Sequence, residues 1–151
     1  IFKSSFSKGK ILYIDFVSLE PRVMRKIGGF DCSGDIYEEI ASNLEIDIDR
    51  SIIKQAVISA VYGSSRKALY SKISKDKVDQ LCEYIDNFLN AKTCLEMALE
   101  SSESNCRTNF WGRPIWNKGS NETNVILNNY VQSTAVDIAL NGFSSILLWH
   151  V

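Results

Sequence analysis

The sequence predicts an α+β fold that is mostly helical, and three observations lead to this class. The run 10–16 (Lys-Ile-Leu-Tyr-Ile-Asp-Phe) is rich in β-branched and aromatic residues, which is typical of a short buried strand. Residues 105–117 place Gly112 and Pro114 among β-forming residues, which predicts a hairpin. Most of the remaining chain shows helical spacing of apolar residues, and 151 residues with 45% apolar content suit about one domain with a small core.

The first two helices are expected between the strand and position 45. Ser18 could cap the first helix, and Gly28-Gly29 would end it. Asp35 is followed three residues later by Glu38, which are the residue types of a capping box with Asp in place of Ser or Thr. The second helix should therefore begin near Asp35 and run to about Leu44.

Three longer helices are expected after these. Asp47 or Asp49 would cap the first of them, over residues 50–62. Uninterrupted helical spacing predicts one long helix over residues 75–101. The pattern becomes helical again from about residue 122 to the end, so the hairpin should stand between two helical segments.

Composition narrows the function classes only slightly. A net charge of −1 and a pI near 5.9 provide no overall basic field, which counts mildly against an autonomous nucleic-acid-binding module. No apolar run of membrane-spanning length and no secretory signal is seen, so we expect a cytoplasmic protein without a membrane partner. Four cysteines form no CxxC pair, which indicates reduced thiols rather than a zinc site: Cys32, Cys82, Cys94 and Cys106.

The most informative stretch is 50–63, because its residues repeat at steps of four. Such residues lie on nearly the same side of an α-helix. One broad face would carry Arg50 and Lys54 near one end, then Ile58 and Tyr62, and a glycine at position 63 would end the helix. Cations suit a polyphosphate, and a flat ring suits a base or sugar. A simple solvated helix face is the alternative interpretation.

A second candidate is the aspartate that ends the predicted strand. A carboxylate there is costly to bury unless it is paired or bound to a metal. Asp15 is therefore a candidate ligand for a hard divalent cation such as Mg²⁺. Its alternative role is to cap the helix that follows.

Together these two segments resemble the family A DNA polymerases, the group that includes bacterial DNA polymerase I and its phage relatives. Positions 15–22 (Asp-x-x-Ser-x-Glu-x-Arg) are similar to that family's first palm motif, and positions 50–63 (Arg…Lys…Tyr-Gly) are similar to its fingers helix. Three further segments fit in the same order: 34–37 (Gly-Asp-Ile-Tyr), 110–113 (Phe-Trp-Gly-Arg) and 128–137 (Asn-Asn-Tyr-Val-Gln-Ser-Thr-Ala-Val-Asp).

The resemblance implies an organisation in three segments. Residues 1–33 would form part of the palm, 34–103 the fingers helices, and 104–151 a hairpin and a helix that return to the palm. The family's last palm motif, a His-Asp-Glu segment, should lie beyond this sequence, because His150 is too close to position 132. We therefore expect a palm-and-fingers fragment without thumb or last palm motif, inactive by itself.

The activity implied is template-directed DNA synthesis, in which a nucleotidyl group passes from a deoxynucleoside triphosphate to a primer 3′-hydroxyl by a two-metal mechanism. In this resemblance Asp15 and the backbone carbonyl of Phe16 bind Mg²⁺. Arg50 and Lys54 hold the triphosphate and, with Asp15, form the catalytic set.

Three further residues would contact the incoming nucleotide: Glu20, Ile58 and Tyr62. The family's glutamate crowds the sugar 2′ position, although Glu20 could simply pair with a nearby cation: Arg22, Arg50 or Lys54. Position 58 departs from the family, which usually has an aromatic residue there, so we expect weak use of dideoxynucleotides.

Primer-template DNA is the implied macromolecular partner. Arg113, Asn128 and Gln132 resemble the residues that contact it, and ordinary polar surface positions are the alternative for Arg113 and Gln132. Ser133 replaces a family glycine, a change that should be tolerated.

Other interpretations stay open at this point. A single-subunit RNA polymerase shares the palm aspartate and a fingers helix of this kind, although Glu20 favours DNA synthesis. A noncatalytic module that binds nucleotide or primer-template is a second possibility. An unrelated helical domain is the third.

Overall fold

The computed structural model describes residues 13–44, 46–62, 66–100, 102–103, 106–115 and 122–147. Within them, seven α-helices form a main apolar core and a smaller apolar cluster, and a small antiparallel sheet is present. The expectation of a mostly helical α+β fold is confirmed. No helix in these ranges is long and apolar enough to cross a membrane.

The elements follow one another closely along the chain. The helices are α1 (Leu19–Ile27), α2 (Ile36–Asn43), α3 (Arg50–Tyr62), α4 (Lys67–Tyr70), α5 (Lys75–Phe88), α6 (Ala91–Glu100) and α7 (Thr123–Leu147). The strands are β1 (Ser102–Glu103), β2 (Cys106–Thr108) and β3 (Pro114–Ile115), hydrogen-bonded in that order. The β2–β3 pair is the predicted hairpin, with Arg107 opposite Ile115.

The core is built around α3, which packs against α1, α2, α5 and α7. Ile53 and Val57 of α3 are fully buried, as are Leu81 of α5 and Val131 of α7. These apolar residues recur on one side of each helix, so burial fixes which side of α3 faces outward. The opposite side of α3 carries its cations.

The predicted first strand is not found where it can be checked. Tyr13–Phe16 has no strand geometry, and residues 10–12 lie outside the described residues. A sequence with high β-propensity forms a strand only when a neighbouring strand completes its hydrogen bonds. Here the ring of Phe16 packs edge-on against Phe143 of α7, with centroids 5.1 Å apart.

Two of the expected helix caps are confirmed. The Asp35 side chain accepts hydrogen bonds from the amides of Tyr37 and Glu38 at the start of α2. Asp49, rather than Asp47, accepts from the Ser51 amide at 2.7 Å before α3. Each carboxylate satisfies backbone donors that the first turn leaves unpaired.

The predicted cap at Ser18 is wrong. Ser18 precedes α1 in a left-handed conformation with φ 52°, and its side chain makes no capping hydrogen bond. Its hydroxyl donates instead to the Tyr37 hydroxyl at 3.0 Å. A tertiary contact has therefore replaced the local one.

The predicted long helix over 75–101 is also wrong in its continuity. It divides into α5 and α6 at Leu89-Asn90, where Asn90 adopts φ 54°. Asn90 packs so closely against Gly28 that a Cβ atom at that glycine would collide with its side chain. Asparagine tolerates the left-handed region, so the break can occur without glycine.

All four cysteines are free thiols, and Cys82 and Cys94 are buried. Burial raises the pKa of the Cys94 thiol to about 12. The division into three polymerase-like segments stays a prediction.

Candidate nucleotide site

A cavity of about 210 Å³ lies where the start of α1 meets the end of α3. It is lined by Ser18, Glu20, Pro21, Tyr37, Ile58, Val61 and Tyr62. Three of these residues were expected to contact a nucleotide: Glu20 from one motif, and Ile58 and Tyr62 from another. The fold therefore brings two separately predicted segments to one cavity.

The packing of α1 and α3 explains this placement. Val23 and Met24 of α1 and Val57 and Val61 of α3 are buried in the shared core. Because α3 buries that side, its neighbouring side must face outward at the cavity. Ile58 and Tyr62 are accordingly exposed, by 41% and 38%.

A hydrogen bond joins the two walls of the cavity. The Tyr62 hydroxyl donates to Glu20 Oε1 at 3.3 Å. Burial raises the pKa of Tyr62 and the negative charge of Glu20 raises it further, while a side-chain hydrogen bond with Gln132 acts in the opposite direction. A residue of a third predicted motif, on α7, therefore reaches the same phenol.

The described contacts do not support a simple ion pair as the role of Glu20. Arg22 donates to backbone carbonyls, those of Val17, Cys32 and Gly34. Arg50 pairs with a different acid. The carboxylate of Glu20 stays at the cavity wall, held by Tyr62.

Arg50 contacts Tyr37, one of the lining residues, but does not itself line this cavity. Its Nη2 atom is 2.5 Å from Asp35 Oδ2, and its guanidinium lies 5.0 Å from the centroid of the Tyr37 ring. Burial would raise the pKa of Asp35, but the Arg50 hydrogen bond and charge and the cap amides lower it overall. The tyrosine beneath Arg50 is also a wall of the cavity.

Lys54 occupies the same side of α3, one turn after Arg50 and one turn before Ile58. It is exposed, and we find no partner for its ammonium within the described ranges. The outward side of α3 therefore presents one paired cation and one unpaired cation next to the cavity. This arrangement can accept an anionic group whose attached ring enters the cavity.

Asp15 is exposed, not buried as expected for a carboxylate at the end of a buried strand, and its described polar contact is a long one, 3.4 Å from the Tyr13 hydroxyl. An accessible carboxylate and the nearby carbonyl of Phe16 are the hard oxygen donors that Mg²⁺ prefers. Within the described part of the chain, no three His, Cys, Asp or Glu side chains form a metal-binding group. Asp15 thus fits one ligand of a metal site, not a complete site.

A second groove, of about 340 Å³, lies between the hairpin and α7. It is lined by Arg113, Ile115, Asn129, Gln132, Ser133 and Val136. Two of the three predicted DNA contacts, Arg113 and Gln132, therefore line one surface. The third is placed differently: Asn128 is half-buried, and its Oδ1 atom is buried without a hydrogen-bond partner.

The position of Arg113 is set by α7. Its Nε lies 2.9 Å from Asp137 Oδ1, and its Nη2 donates to the Ser133 carbonyl at 2.9 Å. The buried Asn109 side chain accepts from the Arg113 amide at 2.9 Å and donates to Asp137. Burial would raise the pKa of Asp137, but Asn109 and Arg113 lower it overall.

Sequence reasoning missed the site roles of Ser18, Tyr37 and Asp137. Ser18 had been predicted only as a helix cap and Tyr37 had been quoted only as part of a motif, yet they share a hydrogen bond and line the cavity. Asp137 closed the last motif without an assigned role. The available signal was that each stood inside a motif next to residues that had been given a role.

Comparison of the chain with family models, with curated proteins and with solved structures finds no match. Function is accordingly inferred from the residues of the site.

Proposed function

We propose that this chain is the palm-and-fingers part of a family A-type DNA polymerase and takes part in template-directed DNA synthesis. In this proposal the cavity between α1 and α3 takes the sugar of the incoming deoxynucleoside triphosphate. Arg50 and Lys54 take its phosphates, and the groove that contains Arg113 and Gln132 takes primer-template DNA.

One observation carries the proposal. Glu20 and Tyr62 were assigned to one nucleotide site by two motifs 42 residues apart, and their side chains are hydrogen-bonded across one cavity. Nothing in either motif required this contact. Because each residue was assigned from its own motif, the contact between them is an independent observation in favour of a shared site.

The chemistry of the site suits a charged nucleotide with a sugar. A cavity of about 210 Å³ is below the usual size of a complete small-molecule site, so it suits one ring rather than a whole nucleotide. Glu20 in its wall would oppose a 2′-hydroxyl by crowding. Arg50 and Lys54 would stabilise the negative charge that develops as pyrophosphate leaves.

Asp15 and the Phe16 carbonyl would hold magnesium, together with ligands beyond the described residues. When bound, magnesium would lower the cost of charge on the triphosphate and on the primer hydroxyl. The chain's own contribution is to position the phosphates on α3 and the sugar against Glu20.

Primer extension by the full-length protein tests this proposal, with Lys54→Gln as the variant and Lys77→Gln, on the exposed side of α5, as the control. We expect Lys54→Gln to lower kcat/KM for deoxynucleotides by about 100-fold, because one charge aimed at the developing pyrophosphate is lost. Lys77→Gln should leave it unchanged.

Each other outcome contradicts the proposal in a distinct way. Preference for ribonucleotides would indicate an RNA polymerase. Binding of nucleotide and primer-template without extension would indicate a noncatalytic module. Equal rates for both lysine variants would remove Lys54 from the site.

A further inference from the structure

Asp35 and Arg50 form an ion pair next to Tyr37, a lining residue of the cavity, and their exposure shows that the pair is open to solvent. The Arg50 side chain is 55% exposed and that of Asp35 is 30% exposed. Exposed ion pairs of this kind contribute little to stability, since water and salt compete for both charges. Another anion can therefore replace Asp35 as the partner of Arg50 without disturbing the core.

The two oxygen atoms of Asp35 have separate partners. Oδ1 accepts from the Tyr37 amide at 2.8 Å and the Glu38 amide at 3.3 Å, which caps α2. Oδ2 receives Arg50. Departure of Arg50 would leave the cap intact, so an exchange at Oδ2 needs no unfolding of α2.

We propose that Asp35 is an internal competitor for the ligand: its Oδ2 occupies the place on Arg50 that a phosphate of a polyphosphate takes, and binding moves Arg50 from Asp35 to that phosphate. This inference rests on the proposed assignment of Arg50 and Lys54 to a triphosphate.

The competition follows from charge and geometry. A guanidinium presents several donors in one plane and binds phosphate oxygens in pairs, whereas Asp35 offers it one oxygen. A polyphosphate can also reach Lys54 one turn along α3, which Asp35 does not contact in the described hydrogen bonds and ion pairs. A ligand with several charges therefore displaces Asp35 more readily than a monophosphate, and the pair selects for polyphosphates.

Calorimetric titration of the 151-residue chain with inorganic tripolyphosphate tests this inference. Asp35→Asn keeps an oxygen that caps α2, because Asn and Asp cap equally well, and removes the charge that competes for Arg50. We expect it to bind tripolyphosphate about two- to five-fold more tightly than the wild-type chain does, which is the range that an exposed ion pair allows.

Asp49→Asn is the matched control. Asp49 precedes Arg50 directly and caps α3 through the Ser51 amide, so the substitution removes the same charge at nearly the same place and keeps a cap. It should tighten binding much less than Asp35→Asn does. In an Arg50→Gln background, Asp35→Asn should give no gain.

The inference is overturned if Asp35→Asn and Asp49→Asn tighten binding equally, since the gain would then be a general effect of charge. It is also overturned if Asp35→Asn weakens binding, or if tripolyphosphate binds to none of these proteins. Primer extension separates it from the proposed function. Tighter binding by Asp35→Asn without any extension would retain the exchange and reject the polymerase. Primer extension that depends on Lys54, together with equal effects of Asp35→Asn and Asp49→Asn on tripolyphosphate binding, would support the polymerase and reject the exchange.

Discussion

Two of the arginine–aspartate ion pairs among the described residues, Arg113–Asp137 and Arg50–Asp35, differ in what surrounds them. Arg113 and Asp137 join the hairpin to α7, and the Arg113 guanidinium also donates to a backbone carbonyl. Arg50 and Asp35 meet next to Tyr37, and the described hydrogen bonds give the Arg50 guanidinium that one acceptor. The Asp137 side chain is 19% exposed, against 30% for Asp35.

This contrast indicates that the groups around an ion pair, more than its two charges, determine whether its side chains stay in place. Asn109 is only 2% exposed, and its side chain donates to Asp137 and accepts from the backbone amide of Arg113, so it holds the carboxylate and the backbone that carries the guanidinium. No equivalent buried group is seen at Arg50 among the described contacts. We infer that the first pair positions a side chain and the second can be exchanged.

The largest effect should come from removing Asn109, the buried residue that supports the fixed pair. Asn109→Ala deletes the oxygen that accepts from both the Trp111 and Arg113 amides, and the donor to Asp137. We expect a loss of about 2–3 kcal/mol in the free energy of unfolding, because three partly buried hydrogen bonds are lost together. Urea denaturation measures it, with the exposed Asn124→Ala as control. Equal midpoints for the two variants would show that the network does not hold the hairpin.

A smaller effect is expected from Asp137→Asn. Losing the charge weakens the bonds from Arg113 and Asn109, which should cost about 1–2 kcal/mol of unfolding free energy. Asp35→Asn, the same change in the exposed pair, should shift the urea midpoint less, since the cap remains. A larger shift for Asp35→Asn would reverse the comparison.

Arginine-to-lysine substitutions provide a further test of the difference between the two pairs. Arg113 uses two nitrogen atoms for two acceptors, Asp137 and the Ser133 carbonyl, and lysine has only one. Arg113→Lys should therefore cost about 1 kcal/mol in unfolding free energy, whereas Arg50→Lys should leave the midpoint unchanged. Thermal unfolding followed by circular dichroism compares them, and equal shifts would argue against a fixed Arg113.

The smallest expected effect is a change in the free energy of unfolding with pH. The pKa of Asp137 in the folded chain is lowered from its ordinary value of 3.8. A lowered folded-state pKa contributes stability that is present above the ordinary value and is lost as the pH falls through the folded value. The difference in unfolding free energy between the wild-type chain and Asp137→Asn should have its maximum value at pH 6 and decrease below about pH 4. A constant difference down to pH 2 would contradict this.

Local signals explain which parts of the fold could be predicted. The steps of four over 50–62 gave α3 and its outward side, and the side chains of Asp35 and Asp49 gave two caps. The hairpin followed from its turn residues and β-forming neighbours. Each depends on residues close together in the sequence, where helix and turn preferences act.

The errors have nonlocal causes. The break at Asn90 depends on its contact with Gly28, 62 residues away, and no periodicity reports that. The Ser18 hydroxyl donates to Tyr37 and does not cap α1. Tyr13–Phe16 lacks a strand partner in the described ranges. The cavity could be predicted only in part. Glu20 and Tyr62 were identified from their motifs, but the position of Tyr37 beneath Arg50 depends on tertiary packing.

Photo-crosslinking with an azidopurine deoxynucleoside triphosphate, followed by tryptic mapping, tests most directly whether the cavity between α1 and α3 binds a nucleotide. We predict adducts in peptide 55–66, which carries Ile58 and Tyr62, or in peptide 27–50, which carries Tyr37, and their loss in excess unlabelled dATP. Adducts confined to peptide 78–92 of α5, or none that dATP displaces, would contradict it.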